Sequence, residues 1–427
     1  MKIYPEYKGM NLPAMDAEIL QWWEDHDIFN KSVDQRPQDK RWVFYEGPPS
    51  ANGMPGIHHV MSRTIKDLFC RYKTLQGYRV ERKGGWDTHG LPIELSVEKE
   101  LGITKDDIGK SISIEDYNAR CRETVMRYKA EWDDITRKMG YWVDLDHPYI
   151  TYENNYIESV WCLLQQLFDK GLLYKGFTIQ PYSPAAGTGL SSHELNMPGA
   201  YKEVKDTTVV AMFEVIRNDA SQILFDETDE DVRILAWTTT PWTLPSNTAL
   251  SVGPEIDYVK IKTVNPYTNA NVSVVLAASL ISSWLGGKNQ PPILEQSSTF
   301  KGNKLKGIRY TPLLDFGIEI EPLLGGTESY VVLTGDHVTT SDGTGIVHTA
   351  PSFGADDQRV AKANGVGTLT LVDQQGKFKN NVGPFANRYV KDYKDDPNYV
   401  NVDVDIAVML KTEGKAFNVQ KYEHNYP

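Results

Sequence analysis

Four stretches of this chain place polar and titratable residues where backbone turns sharply. The first ends in Gly56-Ile57-His58-His59, after a loop rich in Gly and Pro that begins at Glu46. A helix starting there would present backbone amides and an imidazole to phosphate oxygens. The second runs from Gly84 to Glu94 and carries Asp87 and His89. The third reads Trp237-Thr238-Thr239-Thr240-Pro241-Trp242 and continues to Asn247, a loop full of hydroxyl donors and acceptors. The fourth passes from Gly343-Thr344-Gly345 through a buried-strand pattern to His348, then to Asp356 and Asp357. Plainer readings exist for each. Gly/Pro loops between strand and helix are common, adjacent His residues often sit on surfaces, Thr favours strands, and a lone His is more often structural than functional.

The elements around these stretches decide how they can meet. Trp42, Val43, Phe44 and Tyr45 predict a buried strand. Val60, Ile65, Leu68, Phe69 and Tyr72 follow at helical spacing, and Gly77 to Val80 predicts a second strand entry. Two loops at the carboxyl ends of neighbouring parallel strands make the ligand crevice of an open α/β sheet. Before them, Ile19, Leu20, Trp22, Trp23 and Ile28 give residues 1–40 the pattern of a helical arm. After them, Ser113 with Asp116 opens a long helix towards Gly140. Ile157, Val160, Trp161, Leu164, Leu167 and Phe168 predict another with an apolar core face, capped by Gly171. From 201 to 395 the pattern turns β-rich, with strands expected at 209–215, 234–237, 258–261 and 330–333. Residues 396–427 are expected to return towards the first domain, with a short helix around Ile406 to Leu410.

Composition sets the frame. A chain of 427 residues suggests two or three domains, and 40% apolar content suffices for their cores. A net charge of −12 offers no global attraction to nucleic acid, so any such contact must use local basic patches. Cys70, Cys121 and Cys162 lie far apart, show no metal spacing and fit a reducing cytoplasm. No apolar run reaches membrane-spanning length, and the N-terminus lacks the apolar core of a signal peptide. No protein partner is implied.

The two N-terminal loops resemble the signatures of the class I aminoacyl-tRNA synthetases. Gly56-Ile57-His58-His59 occupies the place of that family's His-x-Gly-His, with only the last His matching. Trp86-Asp87-Thr88-His89-Gly90-Leu91-Pro92-Ile93-Glu94 is similar to the isoleucine-specific branch and differs from the valine and leucine branches at His89 and Ile93. The resemblance implies an α/β fold: the N-terminal half of a Rossmann-like catalytic domain over 1–200, interrupted by a β-rich editing domain over 201–395. It implies ATP with Mg2+, isoleucine and tRNA as substrates and partners. Gly56, His58 and His59 would serve ATP, with His59 catalytic. Asp87 would hold the α-amino group, while Pro48 and His89 would shape the amino-acid site. In the editing domain, Thr238, Thr239, Thr240, Trp242 and Asn247 would surround the terminal adenosine of tRNA and orient a water. His348 would crowd the side-chain pocket and Asp357 would hold the α-amino group of a misattached amino acid. Many relatives carry a Cys-x-x-Cys zinc half-site where Ser183 and Ala186 stand here, so no zinc is expected. The family's Lys-Met-Ser-Lys-Ser loop occurs nowhere in the 427 residues, which makes the chain look truncated and inactive in aminoacylation by itself. A valine-specific enzyme and an editing-only fragment are the alternatives.

Overall fold

The computed structural model describes residues 9–176, 178–184, 186–392 and 396–426. The first eight residues of the expected arm, and Ala185, lie outside them. The chain divides into two compact units, Met1–Lys175 and Gly176–Pro427.

The first unit is mostly helical. The arm forms as two helices, Leu12–Asp25 and Ile28–Asp34. Asn11 caps the first by accepting the Ala14 N–H, and Pro13 sits in its first turn. Trp23 meets Trp142 edge-on at 5.2 Å, and the Arg71 guanidinium lies over both rings. Ile19 and Trp22, which share the arm's apolar pattern with Trp23, stay exposed. The helix Ile57–Leu75 follows the first loop, and the strand Lys83–Trp86 leads into the second. That strand pairs in parallel with Asp144–Ile150.

Three expectations for this unit need correction. Residues 42–45 form no strand: the local pairing is a single parallel bridge between Arg41 and Arg79. Val43 and Tyr45 are 67% and 89% exposed, so apolar content alone did not secure a partner for the backbone. The helix opened by Ser113, whose Oγ accepts the Asp116 N–H, is broken into Ile114–Val125 and Lys129–Lys138. The break frees the Tyr128 N–H to donate to the Ala51 carbonyl of the first loop at 3.0 Å. The helix Asn154–Asp169 ends at Gly171 with φ 67° as its spacing predicts, but buries no residue. Its apolar face, Trp161 and Phe168 included, is exposed rather than core.

The second unit is organised by a ten-stranded sheet. The strand Lys202–Glu214 pairs antiparallel with Val232–Thr238 on one side and with Ala416–Tyr426 on the other. Thr207-Thr208-Val209-Val210 is a β-branched run suited to such a central position. Its side chains alternate between two cores. Val209, Ala211 and Phe213 enter the larger, while Val210 and Met212 enter the smaller. Helix Val402–Thr412, capped by Asn401, sends Val402, Ile406 and Leu410 into the larger core. Residues 396–426 therefore stay with the β-rich unit instead of leaving it, because both their helix and their strand complete its core and sheet. The strands expected at 209–215, 234–237, 258–261 and 330–333 lie within or overlap Lys202–Glu214, Val232–Thr238, Asp257–Val264 and Val331–Thr334. Ser183 and Ala186 sit in a small hairpin, where the Ser183 Oγ accepts the Ala186 N–H at 3.2 Å.

Candidate functional site

In the first unit the Gly/Pro loop is held from below. Trp132, 2% exposed, donates its indole N–H to the Gly53 carbonyl at 2.8 Å. Glu46 is buried, takes the Tyr141 hydroxyl and pairs with Lys66. Gly56 caps the helix Ile57–Leu75 in extended backbone, and its N–H donates to His59 Nδ1 at 2.9 Å. That bond makes Nδ1 an acceptor, so a neutral His59 carries its proton on Nε2. Burial, then the neighbouring His58 and Arg63, lower the His59 pKa and favour the neutral ring. His59 thus offers one donor, as phosphate contact requires, while His58 is exposed with its ring centroid 3.8 Å away.

The two loops touch through backbone. The Asp87 N–H donates to the Pro49 carbonyl at 3.0 Å, beside the half-buried Pro48. The Asp87 carboxylate is exposed, with Oδ1 3.4 Å from the His89 N–H. Thr151 pins the second loop: its Oγ1 lies 2.7 Å from Thr88 Oγ1 and 3.1 Å from His89 Nδ1. Thr151 carried no local signal in the sequence.

In the second unit, strand pairing makes a deeper site. Ile346–Thr349 pairs in parallel with Val232–Thr238 through Val347 and Trp237. Both strands therefore deliver their following loops to one edge. Gly343 and Gly345, at φ 71° and 73°, permit the approach; a Cβ on Gly345 would sit 2.4 Å from the Ala277 Cβ. Between the loops lies a cavity of about 330 Å³, lined by Trp237, Thr238, Thr239, Thr240, Thr243, Val347, His348, Ala350, Phe353 and Asp357. Two stretches a hundred residues apart in sequence thus share one pocket.

Each wall has its own chemistry. Asp357 stands in the first turn of the helix Ala355–Ala363 and accepts the Ala350 N–H at 3.0 Å. Burial pushes its carboxyl up to about 6, against the pull of that hydrogen bond. A half-buried carboxylate with one bond is under-satisfied, and an ammonium group is the partner that would relieve it. Thr238 Oγ1 accepts the Thr240 N–H at 3.1 Å, which leaves its own proton to give. His348 is 8% exposed, and burial drives its pKa down to about 4, so the ring is neutral. Its Nε2 lies 2.9 Å from Thr243 Oγ1 and its Nδ1 3.4 Å from Asn247 Nδ2. With both nitrogens engaged, His348 is a wall of the cavity and not a free base.

Two expected residues stand apart from the lining. Asn247 is 4% exposed and spends its amide on Ala249, His348 and Tyr310. Trp242 packs edge-on against Phe353 at 4.9 Å, and its backbone N–H donates to Asp403 Oδ1 at 2.8 Å. Asp403, fully buried, also binds Lys391, which reaches Asp206. It anchors the Thr-rich loop from 161 residues away; the signal for it was an acid on the apolar face of Val402-Asp403-Val404-Asp405-Ile406. Trp237, Thr243 and Phe353 also belong to the lining; they lie within the two stretches but carried no expected role. Among the described residues no group of three or more His, Cys, Asp or Glu is placed to hold a metal ion. No helix among them is long and apolar enough to cross a membrane.

The sequence model of the tRNA synthetases class I (I, L, M and V) matches residues 18–411. The chain belongs to this family. As a class I synthetase chain it is 51% identical to an isoleucine–tRNA ligase of Cytophaga hutchinsonii over 98% of its own length, which is 40% of that protein. It is 49% identical to one from Porphyromonas gingivalis, over 99% of the chain and 40% of that protein. A third, from Dehalococcoides mccartyi, is 43% identical over 98% and 40%. The chain spans about 40% of the length of these curated relatives. The fold is the α/β one of the family: a class I synthetase core and a large β-rich unit. Among solved structures, "The crystal structure of GlLeuRS-CP1" matches at a TM-score of 0.37 and 17% identity, over 50% of this chain and 98% of that one, too low to inform the site.

Proposed function

We propose that this chain is the N-terminal part of an isoleucine-specific synthetase, and that its β-rich unit hydrolyses valine wrongly attached to tRNA. The observation that carries the hydrolytic reading is the shared cavity of Thr238, Thr239, Thr240, His348 and Asp357. Asp357 binds the α-ammonium of the misattached amino acid. The threonine hydroxyls orient a water and donate to the ester oxygen as charge develops there. Water adds to the ester carbonyl, the tRNA ribose oxygen leaves with a proton, and free valine results. His348 limits the length of the side chain. A second pocket is needed because one missing methylene is worth only ~1–3 kcal/mol in an apolar site, a figure for which the isoleucine enzymes are themselves the standard example.

The first unit supplies the amino-acid and nucleotide side of isoleucyl-adenylate formation. The first amides of the helix Ile57–Leu75 and the Nε2–H of His59 face the phosphates of ATP, which arrives with Mg2+. Asp87 holds the α-amino group, and Pro48 and His89 shape the isoleucine site. The similarity of Trp86–Glu94 to the isoleucine branch, and the names of the relatives, support isoleucine over valine. A cytoplasmic location fits work on tRNA and three cysteines with no metal spacing. Adenylate formation belongs to the whole proteins this chain resembles, since the charge on the transferring phosphates needs a lysine loop absent from these 427 residues. An editing-only activity is therefore the second reading for residues 1–427. Isoleucine-dependent ATP–pyrophosphate exchange separates them: vigorous exchange by this chain contradicts the second reading, and its absence with retained valyl-tRNA hydrolysis supports it. Elemental analysis should find no stoichiometric zinc, as Ser183 and Ala186 supply no thiolate.

A further inference from the structure

Behind the cavity wall, five groups form a chain of hydrogen bonds whose direction can be read. Asn247 Nδ2 lies 2.8 Å from the Ala249 carbonyl, which can only accept, so this atom is the NH2 of the amide. Its Oδ1 then receives the Tyr310 hydroxyl at 2.7 Å. The second N–H of the amide faces His348 Nδ1, which must present a lone pair. A neutral ring therefore carries its proton on Nε2, pointing at Thr243 Oγ1. Thr243 accepts it, because its own single proton goes to the Thr240 carbonyl at 2.8 Å. Every proton points the same way, from Tyr310 through Asn247, His348 and Thr243 to the backbone of the Thr-rich loop.

Tyr310 lies outside the cavity. It is wholly buried, its ring edge-on to Phe213 at 5.3 Å and to Tyr330 at 6.1 Å. Its hydroxyl donates to Asn247, and Asn247 touches the one side chain expected to measure the substrate.

We propose that Tyr310 and the Asn247 amide are positioning residues that set the specificity of the pocket. They hold His348 as a single neutral Nε2–H tautomer in one ring orientation. The specificity part rests on the hydrolytic reading above; the tautomer part does not. A ring turned about Cβ–Cγ would place carbon against Thr243 and Asn247 and leave their buried groups unpaired. The lock makes that turn unfavourable. Without it the wall moves, and a side chain one methylene longer gains entry for part of the time. Asn247 is thus assigned inward to His348, not to a bound adenosine.

Two-bond 1H–15N correlation spectra of the His-labelled chain read the tautomer directly, with His348→Ala identifying the signal among the nine histidines. The parent should show a neutral Nε2–H ring for His348. Tyr310→Phe should give mixed tautomers or an exchange-broadened signal. It should also raise the ratio of isoleucyl-tRNA to valyl-tRNA hydrolysis by about fivefold, the scale of one lost buried hydrogen bond. Asn247→Asp can only accept a proton at Nδ1, so it should move His348 to the Nδ1–H form or the imidazolium. An Nδ1–H ring in the parent overturns the lock, as does Tyr310→Phe with the parent's spectrum and ratio. A parent that hydrolyses neither ester overturns the specificity claim and the substrate reading, while the spectrum decides the lock by itself. Should Tyr310→Phe fail to fold, the spectra of the parent and of Asn247→Asp decide the lock between them.

Discussion

The two units handle their apolar residues in opposite ways. Gly176–Pro427 closes large cores on both faces of its sheet, and the side chains lining the cavity come from the ends of buried strands and from the loops and helix that follow them. Met1–Lys175 buries a small cluster around Ala51, Trp86 and Trp132, and leaves whole helix faces in solvent. On Ile57–Leu75 the residues Ile57, Met61, Ile65, Leu68, Phe69 and Tyr72 are exposed, and on Asn154–Asp169 Trp161, Leu163, Leu167 and Phe168. The difference teaches where pre-organisation resides. The cavity proposed to be hydrolytic is assembled within its unit, its His348 engaged at both nitrogens. The Gly/Pro loop of the first unit is fastened at a few points, such as Trp132 to Gly53 and Tyr128 to Ala51, and the Asp87 carboxylate of the second loop is open to solvent.

The largest effect that should separate the units is on stability. Phe213 is fully buried in the larger core, so Phe213→Ala should cost about 3–5 kcal/mol by chemical unfolding of the β-rich unit. Phe168 is 65% exposed, and Phe168→Ser should stay within about 0.5 kcal/mol. Equal losses would break the contrast.

A smaller effect sharpens it within the pocket. Asp357→Asn keeps an acceptor for the Ala350 N–H but loses the charge for an α-ammonium. Valyl-tRNA hydrolysis should fall about 10- to 100-fold, the worth of a charge-assisted hydrogen bond. In the parent, kcat/KM should drop about tenfold per unit as pH falls below about 6, where Asp357 takes up a proton. Asp357→Asn should lose that dependence. Stability moves the other way. A folded-state pKa above the ordinary carboxylate value means the folded chain binds this proton more tightly than the unfolded one. Stability is therefore lost as pH rises from about 4 to about 6, and Asp357→Asn should raise the melting temperature at pH 8 but not at pH 3. A melting temperature lowered at pH 8 would deny that burial strains this carboxylate.

The smallest expected effect tests the first unit's local architecture. Ser113→Ala removes the cap on Ile114–Val125 and should cost about 1 kcal/mol. A loss of several kcal/mol, measured by the same unfolding, would show that this helix is tied into a larger cooperative core than its burial indicates.

What the sequence disclosed follows the range of the interactions. Ser113 capping its helix and Gly171 ending another are local chemistry, legible within four residues. The strand at Val209–Phe213 was legible because its β-branched run needs no partner to be recognised. The resemblance to the family's editing domain singled out Asp357, His348 and the threonine loop, and parallel pairing of Trp237 with Val347 explains why they converge on one cavity. Tertiary facts were hidden. Trp42–Tyr45 has strand composition but finds only the bridge from Arg41 to Arg79. The helix break at Met126–Tyr128 serves Ala51, and the return of Ala416–Tyr426 to the sheet depends on Lys202–Glu214. Tyr310 and Asp403 act through partners 63 and 161 residues away, distances over which no periodicity speaks.

The most direct test compares hydrolysis of valyl-tRNA and isoleucyl-tRNA by residues 1–427 and by His348→Ala. The parent should cleave the valine ester and spare the isoleucine ester. His348→Ala should cleave both, since removing the ring lengthens the cavity by several atoms while Asp357 and the threonines remain in place. A parent inactive on valyl-tRNA, or a His348→Ala variant that still spares isoleucyl-tRNA, would contradict the assignment of this pocket.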